Sequence, residues 1–149
     1  GLMSILPLFP LYYNGETKFS PIHASDIANL IYYVINNQIV SKDIEAVGPE
    51  VLTFKEIIKK LLKCVNRKKF LISLPLSLAK ITASFFQVFP NPLLTKDQLN
   101  LLKYDNIKTG NGLTNFEIGC PSKLYFEKSV SQYAYNWRDG GQFSLEEKN

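Results

Sequence analysis

The chain has 149 residues, enough for one domain with a substantial hydrophobic core. Hydrophobic residues make up 46% and charged residues 20%, which is the composition of an ordinary folded soluble protein. The net charge is only +4 and the basic residues are scattered, apart from Arg67–Lys69, so the sequence argues against nucleic-acid binding.

Cysteine and histidine are too sparse to predict a metal centre. Cys64 and Cys120 lie far apart in the chain, and no histidine or third cysteine stands near either at metal-ligand spacing. We interpret both as reduced thiols of a cytoplasmic protein, and a single disulfide is the alternative. The only histidine, His23, has no evident partner ligands, so no metal-binding residue is predicted.

The first structured unit is predicted to run from a turn through a strand into a helix. An Asn14-Gly15 turn precedes a strand over Thr17–Ala24. Ser25 is then a candidate helix cap. In the helix that follows, four apolar residues fall on one face at i, i+4, i+7 and i+8, which predicts that this face is buried: Ile27, Ile31, Val34 and Ile35.

Two further strand–helix units follow along the chain. A short strand over Ile44–Val47 ends at Gly48-Pro49, and the sequence TFKE at Thr53–Glu56 has the form of a capping box that opens a helix to about Asn66. Phe70–Leu74 is predicted to be the third strand. A helix over Leu76–Val88 comes next, and the prolines of PNP at 90–92 end it.

The last third of the chain is predicted to be mainly helical. Thr95 and Gln98 form a second capping-box pattern before a helix to about Lys103, and a final helix covers Ser122–Trp137. We therefore expect an α/β fold that is mainly helical, with about five helices and three short strands that join a parallel sheet. The predicted domain covers residues 1–138, and residues 139–149 form a polar, flexible tail.

One long apolar stretch, Phe70–Phe89, approaches the length of a membrane span. Pro75 divides it and Lys80 adds a charge, so we interpret it as a strand, a break and a buried helix. A helix that lies on a membrane surface or on a partner protein is the alternative interpretation.

The usual catalytic motifs are missing from the sequence. It has no glycine-rich phosphate loop of either common kind and no G-x-S-x-G nucleophile motif. His23 and Asp26 could form an acid–base pair, but without a nucleophile we favour a structural turn. In that turn, backbone groups satisfy His23 and Asp26 supports the start of the helix. No catalytic residue is predicted in this chain.

Five stretches, in order, resemble the C-terminal part of the extended short-chain dehydrogenase/reductase superfamily, whose members are NAD-dependent epimerase/dehydratase-like proteins. The closest resemblance is to the atypical branch that contains the 39 kDa accessory subunit of respiratory complex I. The stretches cover about Pro10–Pro121 and read TKFSPIHASDIA, VGPEVLTFKEI, ISLPLSLAKI, PLLTKDQLNLLKYDNI and FEIGCP.

The resemblance implies a substrate-side portion that packs on an N-terminal Rossmann half preceding Gly1. That half would bear the Tyr-x-x-x-Lys pair of active members and bind NAD or NADP, mainly through residues outside this chain. Sugar-nucleotide members carry an arginine just before the H-V-x-D strand, where this chain has Phe19 with Lys18 beside it. Lys18 and His23 are the substrate-binding candidates that the resemblance implies.

Three functions follow from these observations. The first is the substrate-side part of an NAD(P)-dependent epimerase/dehydratase or reductase of a sugar nucleotide or related small molecule, inert without its Rossmann half. The alternative is a non-catalytic accessory or assembly subunit of respiratory NADH dehydrogenase (complex I). The third is an autonomous small binding domain. The expected location is cytoplasmic, or peripheral on the inner side of an energy-transducing membrane.

Overall fold

The computed structural model describes residues 8–40, 43–75, 96–138 and 141–142 and has a mixed α/β fold, as predicted. Within these ranges the chain forms four α-helices, six short strands and two 3-10 turns. The helices are α1 (Ala24–Asn36), α2 (Phe54–Cys64), α3 (Lys96–Leu101) and α4 (Phe126–Ala134). The strands are β1 (Leu8–Tyr12), β2 (Lys18–Phe19), β3 (Ile44–Glu45), β4 (Leu52–Thr53), β5 (Phe70–Leu74) and β6 (Leu113–Thr114). The 3-10 turns are Tyr13–Gly15 and Tyr135–Trp137.

The described strands pair into three separate two-stranded sheets. β1 and β5 are parallel with Leu8 opposite Phe70, and β3 and β6 are also parallel. β2 and β4 are antiparallel, with Lys18 opposite Thr53, so the predicted all-parallel pairing is wrong for this pair. β1 was not predicted because its Pro10 lacks a backbone donor, a feature that strands tolerate at a sheet edge.

α2 begins at the predicted capping box. The Thr53 hydroxyl accepts from the Glu56 backbone N–H (3.2 Å), and the Glu56 carboxylate accepts from the Thr53 backbone N–H (2.8 Å). Two of the four N-terminal donors that a helix leaves unpaired are thus satisfied. Cation–carboxylate geometry plays no part in this cap, which is built from one threonine and one glutamate.

The core lies on both sides of α2. Leu11 of β1 packs with Ile58 and Leu62, and all three are buried. On the other side, Cys64 packs against Val130 and Ala134 of α4. Burying a side chain of this size stabilises a fold by about 1.5–3 kcal/mol, so α2 is the element around which the described part is organised.

The face of α1 that was predicted to be buried is mostly exposed, and this prediction is wrong. Ile31 is 56% exposed and Ile35 is 69% exposed, whereas Leu30 on another side of the helix is 6% exposed. The periodicity identified a helix with an apolar stripe correctly. It could not identify which side of a helix that is apolar on more than one side packs against this chain.

Gly48 allows a close approach between two segments. A Cβ atom at this position would lie 1.8 Å from the carbonyl oxygen of Pro21, a separation that no side chain can adopt. The Gly48 backbone N–H donates to the Ser20 carbonyl at 3.3 Å. The glycine of the Gly-Pro pair is therefore required by packing between the start of α1 and the loop after β3.

Several sequence predictions concern other parts of the chain. The helix over Leu76–Val88, the PNP stop and the Thr95–Gln98 cap lie outside the described residues, as does most of the tail over 139–149. The predicted strand over Thr17–Ala24 is shortened to β2, since α1 already begins at Ala24. In the described ranges, none of the helices combines the length and the apolar character needed to cross a bilayer.

Candidate functional site

His23 serves as the N-terminal cap of α1. Its Nδ1 atom accepts a hydrogen bond from the Ser25 backbone N–H at 3.1 Å, while its own backbone is extended (φ −77°, ψ 144°). The prediction that Ser25 is the cap is therefore wrong by two positions, because an imidazole acceptor occupies the role that a hydroxyl usually fills. The His23 side chain is partly exposed, so its ring is accessible at the end of the strand-to-helix turn.

Asp26 is a structural clamp between α1 and the segment before α4. Its carboxylate is buried, and one oxygen accepts from the backbone N–H groups of Lys123 (3.1 Å) and Leu124 (3.0 Å). This carboxylate oxygen is therefore committed to two backbone donors. His23 and Asp26 have separate structural tasks, so the interpretation of this stretch as a structural turn is confirmed.

Lys18 lies on β2 with an exposed side chain. Its backbone is anchored on the other side of the strand: its N–H donates to the Asp105 carboxylate at 2.8 Å, and its carbonyl accepts from the Asn106 N–H at 2.7 Å. The structure describes no hydrogen bond between the side chains of Lys18 and His23. Their role in binding a substrate stays a prediction, with Lys18 on a strand edge and His23 at a helix start.

A concave surface that the sequence did not reveal adjoins α1. It is lined by Asp26, Asn29, Tyr32 and Tyr33 from the helix and by the segment Gly119–Lys123. The Tyr33 hydroxyl donates to the Ile118 carbonyl at 3.0 Å, which holds this segment against the helix. The predicted stretch FEIGCP thus contributes one wall, and α1 contributes the other.

Buried Asn115 positions that wall. Its side chain accepts from the Val47 N–H at 2.9 Å and donates to the Ser122 hydroxyl at 2.9 Å, and Asn115 is 1% exposed. Ser122 in turn donates to the Val47 carbonyl at 2.8 Å. A polar network that satisfies all these groups rigidifies a local structure, so this wall has a defined shape.

A second concave surface, with a cavity of about 570 Å³, lies between α2 and α4 and is charged. The Glu127 carboxylate receives hydrogen bonds from Lys63 Nζ (2.6 Å) and Lys60 Nζ (3.2 Å). The hydrogen bond from Lys63 lowers the pKa of Glu127, and the same bond raises the pKa of Lys63. Glu127 is therefore held as an anion and is unsuited to act as a general acid near neutral pH.

Cys64 lines the same surface but is not activated. Burial, followed by the nearby Glu127 charge, raises the pKa of its thiol. The reactive form of cysteine is the thiolate, so a raised pKa makes Cys64 a poor nucleophile. Both cysteines are free thiols in the structure, so the interpretation as reduced cysteines is confirmed.

Metal ligands are not clustered in the described ranges. Among residues 8–40, 43–75, 96–138 and 141–142, no three His, Cys, Asp or Glu side chains come together in a way that could hold an ion. The described side chains therefore offer structural ion pairs and caps in place of a catalytic constellation.

The chain is similar to a subunit of mitochondrial NADH dehydrogenase. The relative is NADH dehydrogenase [ubiquinone] 1 alpha subcomplex subunit 9, mitochondrial, from Arabidopsis thaliana, and the two are 30% identical over 144 residues. The match covers 89% of this chain but only 35% of the relative, so the chain spans about a third of that protein's length. No family model matches the chain.

The similarity agrees with the accessory-subunit part of the resemblance found in the sequence. Membership of the wider dehydrogenase/reductase superfamily, the bound NAD or NADP and the Rossmann half stay predictions. The surface that sequence reasoning missed is the exposed side of α1. Its signal was present, since residues 30–35 read LIYYVI and an uninterrupted apolar run gives a helix more than one apolar side.

Proposed function

We propose that this chain is part of a longer, non-catalytic accessory or assembly subunit of a respiratory NADH dehydrogenase. The observation that carries the proposal is the similarity to the Arabidopsis subunit over 89% of the chain. The described side chains support a non-catalytic role, because His23, Asp26 and Glu127 are each engaged in structural contacts.

The exposed side of α1 is the proposed contact surface of this subunit. Ile27, Ile31 and Ile35 recur every four residues, and each is at least 37% exposed. Three large aliphatic side chains in one row on a helix are unusual for a surface that faces only water. We propose that the remaining portion of the same protein covers this row, since the relative extends far beyond the length that this chain spans.

An enzymatic function is the second candidate. In it the chain would be the substrate-side part of an NAD(P)-dependent epimerase/dehydratase or reductase, and the cofactor would be bound mainly outside this chain. The exposed side chain of Lys18 and the partly exposed ring of His23 favour this candidate, because both remain accessible to a small-molecule substrate such as a sugar nucleotide. The complex would still lack catalytic groups from this chain.

The experiment is two-dimensional electrophoresis of source-cell membranes and cytosol, native and then denaturing, with an antibody to this chain. Migration with a large assembly that has NADH dehydrogenase activity supports the accessory role. Migration only as a small soluble species, together with NAD(P)-dependent turnover of a sugar nucleotide, supports the enzyme and refutes the accessory role.

A matched pair of variants tests the contact surface in the same gels. Ile31→Ser with Ile35→Ser removes the apolar row, whereas Val40→Ser with Val51→Ser changes two other exposed aliphatic residues. We expect the first pair to lose the assembled protein and the second pair to retain it. Equal assembly of both would remove α1 from the proposed contact.

A further inference from the structure

Six basic side chains surround one concave surface at the end of α2. Three of them, Lys55, Lys59 and Lys63, recur every four residues along the helix, and the other three follow it in the run Arg67–Lys69. Leu62 and Leu71 complete the lining. We call these eight residues the basic surface. None of its lining residues is a carboxylate.

The needs of the helix explain only part of this charge. Cations at Arg67–Lys69 complement the negative end of the α2 dipole, but Lys55 lies in the first turn, where a cation is unfavourable. Like charges four residues apart also repel one another. Lys63 has an ion pair with Glu127, and Lys59 lies near Glu56. The remaining excess of positive charge points to a ligand.

The extent of the basic surface argues against one small anion. The helical row from Lys55 to Lys63 covers about 12 Å at 1.5 Å per residue. Hydrogen bonds to a single phosphate require donors within about 3 Å of its oxygens, so one phosphate cannot engage the whole row. The surface is also open to solvent over most of its area, as a site for an extended partner would be.

Phe70 indicates which extended anion fits. It follows Lys69 directly, and its side chain is 77% exposed. An exposed phenyl ring adds nothing to the capture of a soluble polyanion. Beside a basic run, however, it can enter the boundary between headgroups and acyl chains of a bilayer.

We infer that the basic surface binds the anionic headgroups of a phospholipid bilayer, with Phe70 entering the interface. Each cation near such a membrane is worth about fivefold in the partition coefficient, and the attraction weakens as salt screens it. The surface would bind vesicles whether or not the chain assembles with NADH dehydrogenase, since only its own charges are involved.

The test is co-sedimentation of the 149-residue chain with phosphatidylcholine vesicles, with and without phosphatidylserine. We expect binding only to the anionic vesicles, and a decrease as the salt concentration rises. Changing Arg67, Lys68 and Lys69 together to Gln should lower the partition coefficient roughly a hundredfold. Phe70→Ser should weaken vesicle binding further.

The matched control removes the same charge elsewhere. Lys103, Lys108 and Lys123 are exposed and lie outside the basic surface, so their joint change to Gln should retain most of the binding. An equal loss in the two triple variants would refute the inference, because net charge alone would then explain the binding. If circular dichroism shows that the first variant is unfolded, Lys55→Gln with Lys59→Gln replaces it, with a loss of about 25-fold.

Two competitors separate the membrane from other anions. Glycerol phosphate at millimolar concentration should leave vesicle binding unchanged, and its complete inhibition would indicate a site for a soluble phosphate instead. Duplex DNA should bind less tightly than the anionic vesicles. Tighter binding of DNA, or no binding of the unmodified chain to anionic vesicles, would overturn the inference.

Discussion

Replacing Asp26 with alanine removes the carboxylate that joins α1 to the segment before α4. The two backbone N–H groups that it receives, from Lys123 and Leu124, then lose their partner. A hydrogen bond to a charged group contributes about 1.5–3 kcal/mol. Because Lys123 is exposed and water can reach part of this site, we take the lower end of that range for each bond.

The expected decrease in the free energy of unfolding is therefore about 3 kcal/mol for Asp26→Ala. For a chain of this length, that corresponds to a decrease of roughly 6–12 °C in Tm. Asp26→Asn keeps an acceptor oxygen and loses only the charge, so we expect a decrease of about 1 kcal/mol. Asp97 offers a matched control, as an exposed acidic residue in the first turn of α3, and its change to Ala should decrease stability by about 0.3–1 kcal/mol.

Urea unfolding followed by circular dichroism gives these values, and amide hydrogen exchange locates them. In Asp26→Ala, exchange should become faster at the amides of Lys123 and Leu124 before it changes in α2. If Asp26→Ala loses less than the Asp97→Ala control, or if those two amides keep their protection, the clamp does not hold this segment.

Three further predictions concern α2 and its surroundings. The Thr53 backbone and hydroxyl donors lower the pKa of Glu56 from its usual 4.5, so this pairing stabilises the fold above the unfolded pKa and is lost as the pH falls through the lowered folded pKa. The loss of stability between pH 7 and about pH 3 in urea titrations should be smaller in Glu56→Gln, and an unchanged loss would contradict the assignment. Gly48→Ala should decrease stability by about 3 kcal/mol in urea unfolding because its Cβ meets a carbonyl oxygen, whereas Gly112→Ala, with 3.1 Å of clearance, should lose far less. Cys64 should react with iodoacetamide much more slowly than the chain's other cysteine, and equal rates by mass spectrometry would show that it is not buried.

Local sequence determined the parts of this protein in which all the interacting groups are close together in the chain. The capping box of α2 is one example, since Thr53 and Glu56 can satisfy each other without any tertiary contact. β5 over Phe70–Leu74 was also predicted with its full bounds, because an apolar run and a following proline define a short strand. The α/β class followed from such local units.

Tertiary structure decided which of several equivalent local choices is used. α1 has more than one apolar side, and only the packing of Leu30 selects which side is buried in this chain. Asp26 finds its partners 97 and 98 positions away, a separation at which sequence patterns carry no information about pairing. The two-residue strands β4 and β6 are likewise too short for a periodic signal, and they exist because β2 and β3 supply their hydrogen-bond partners.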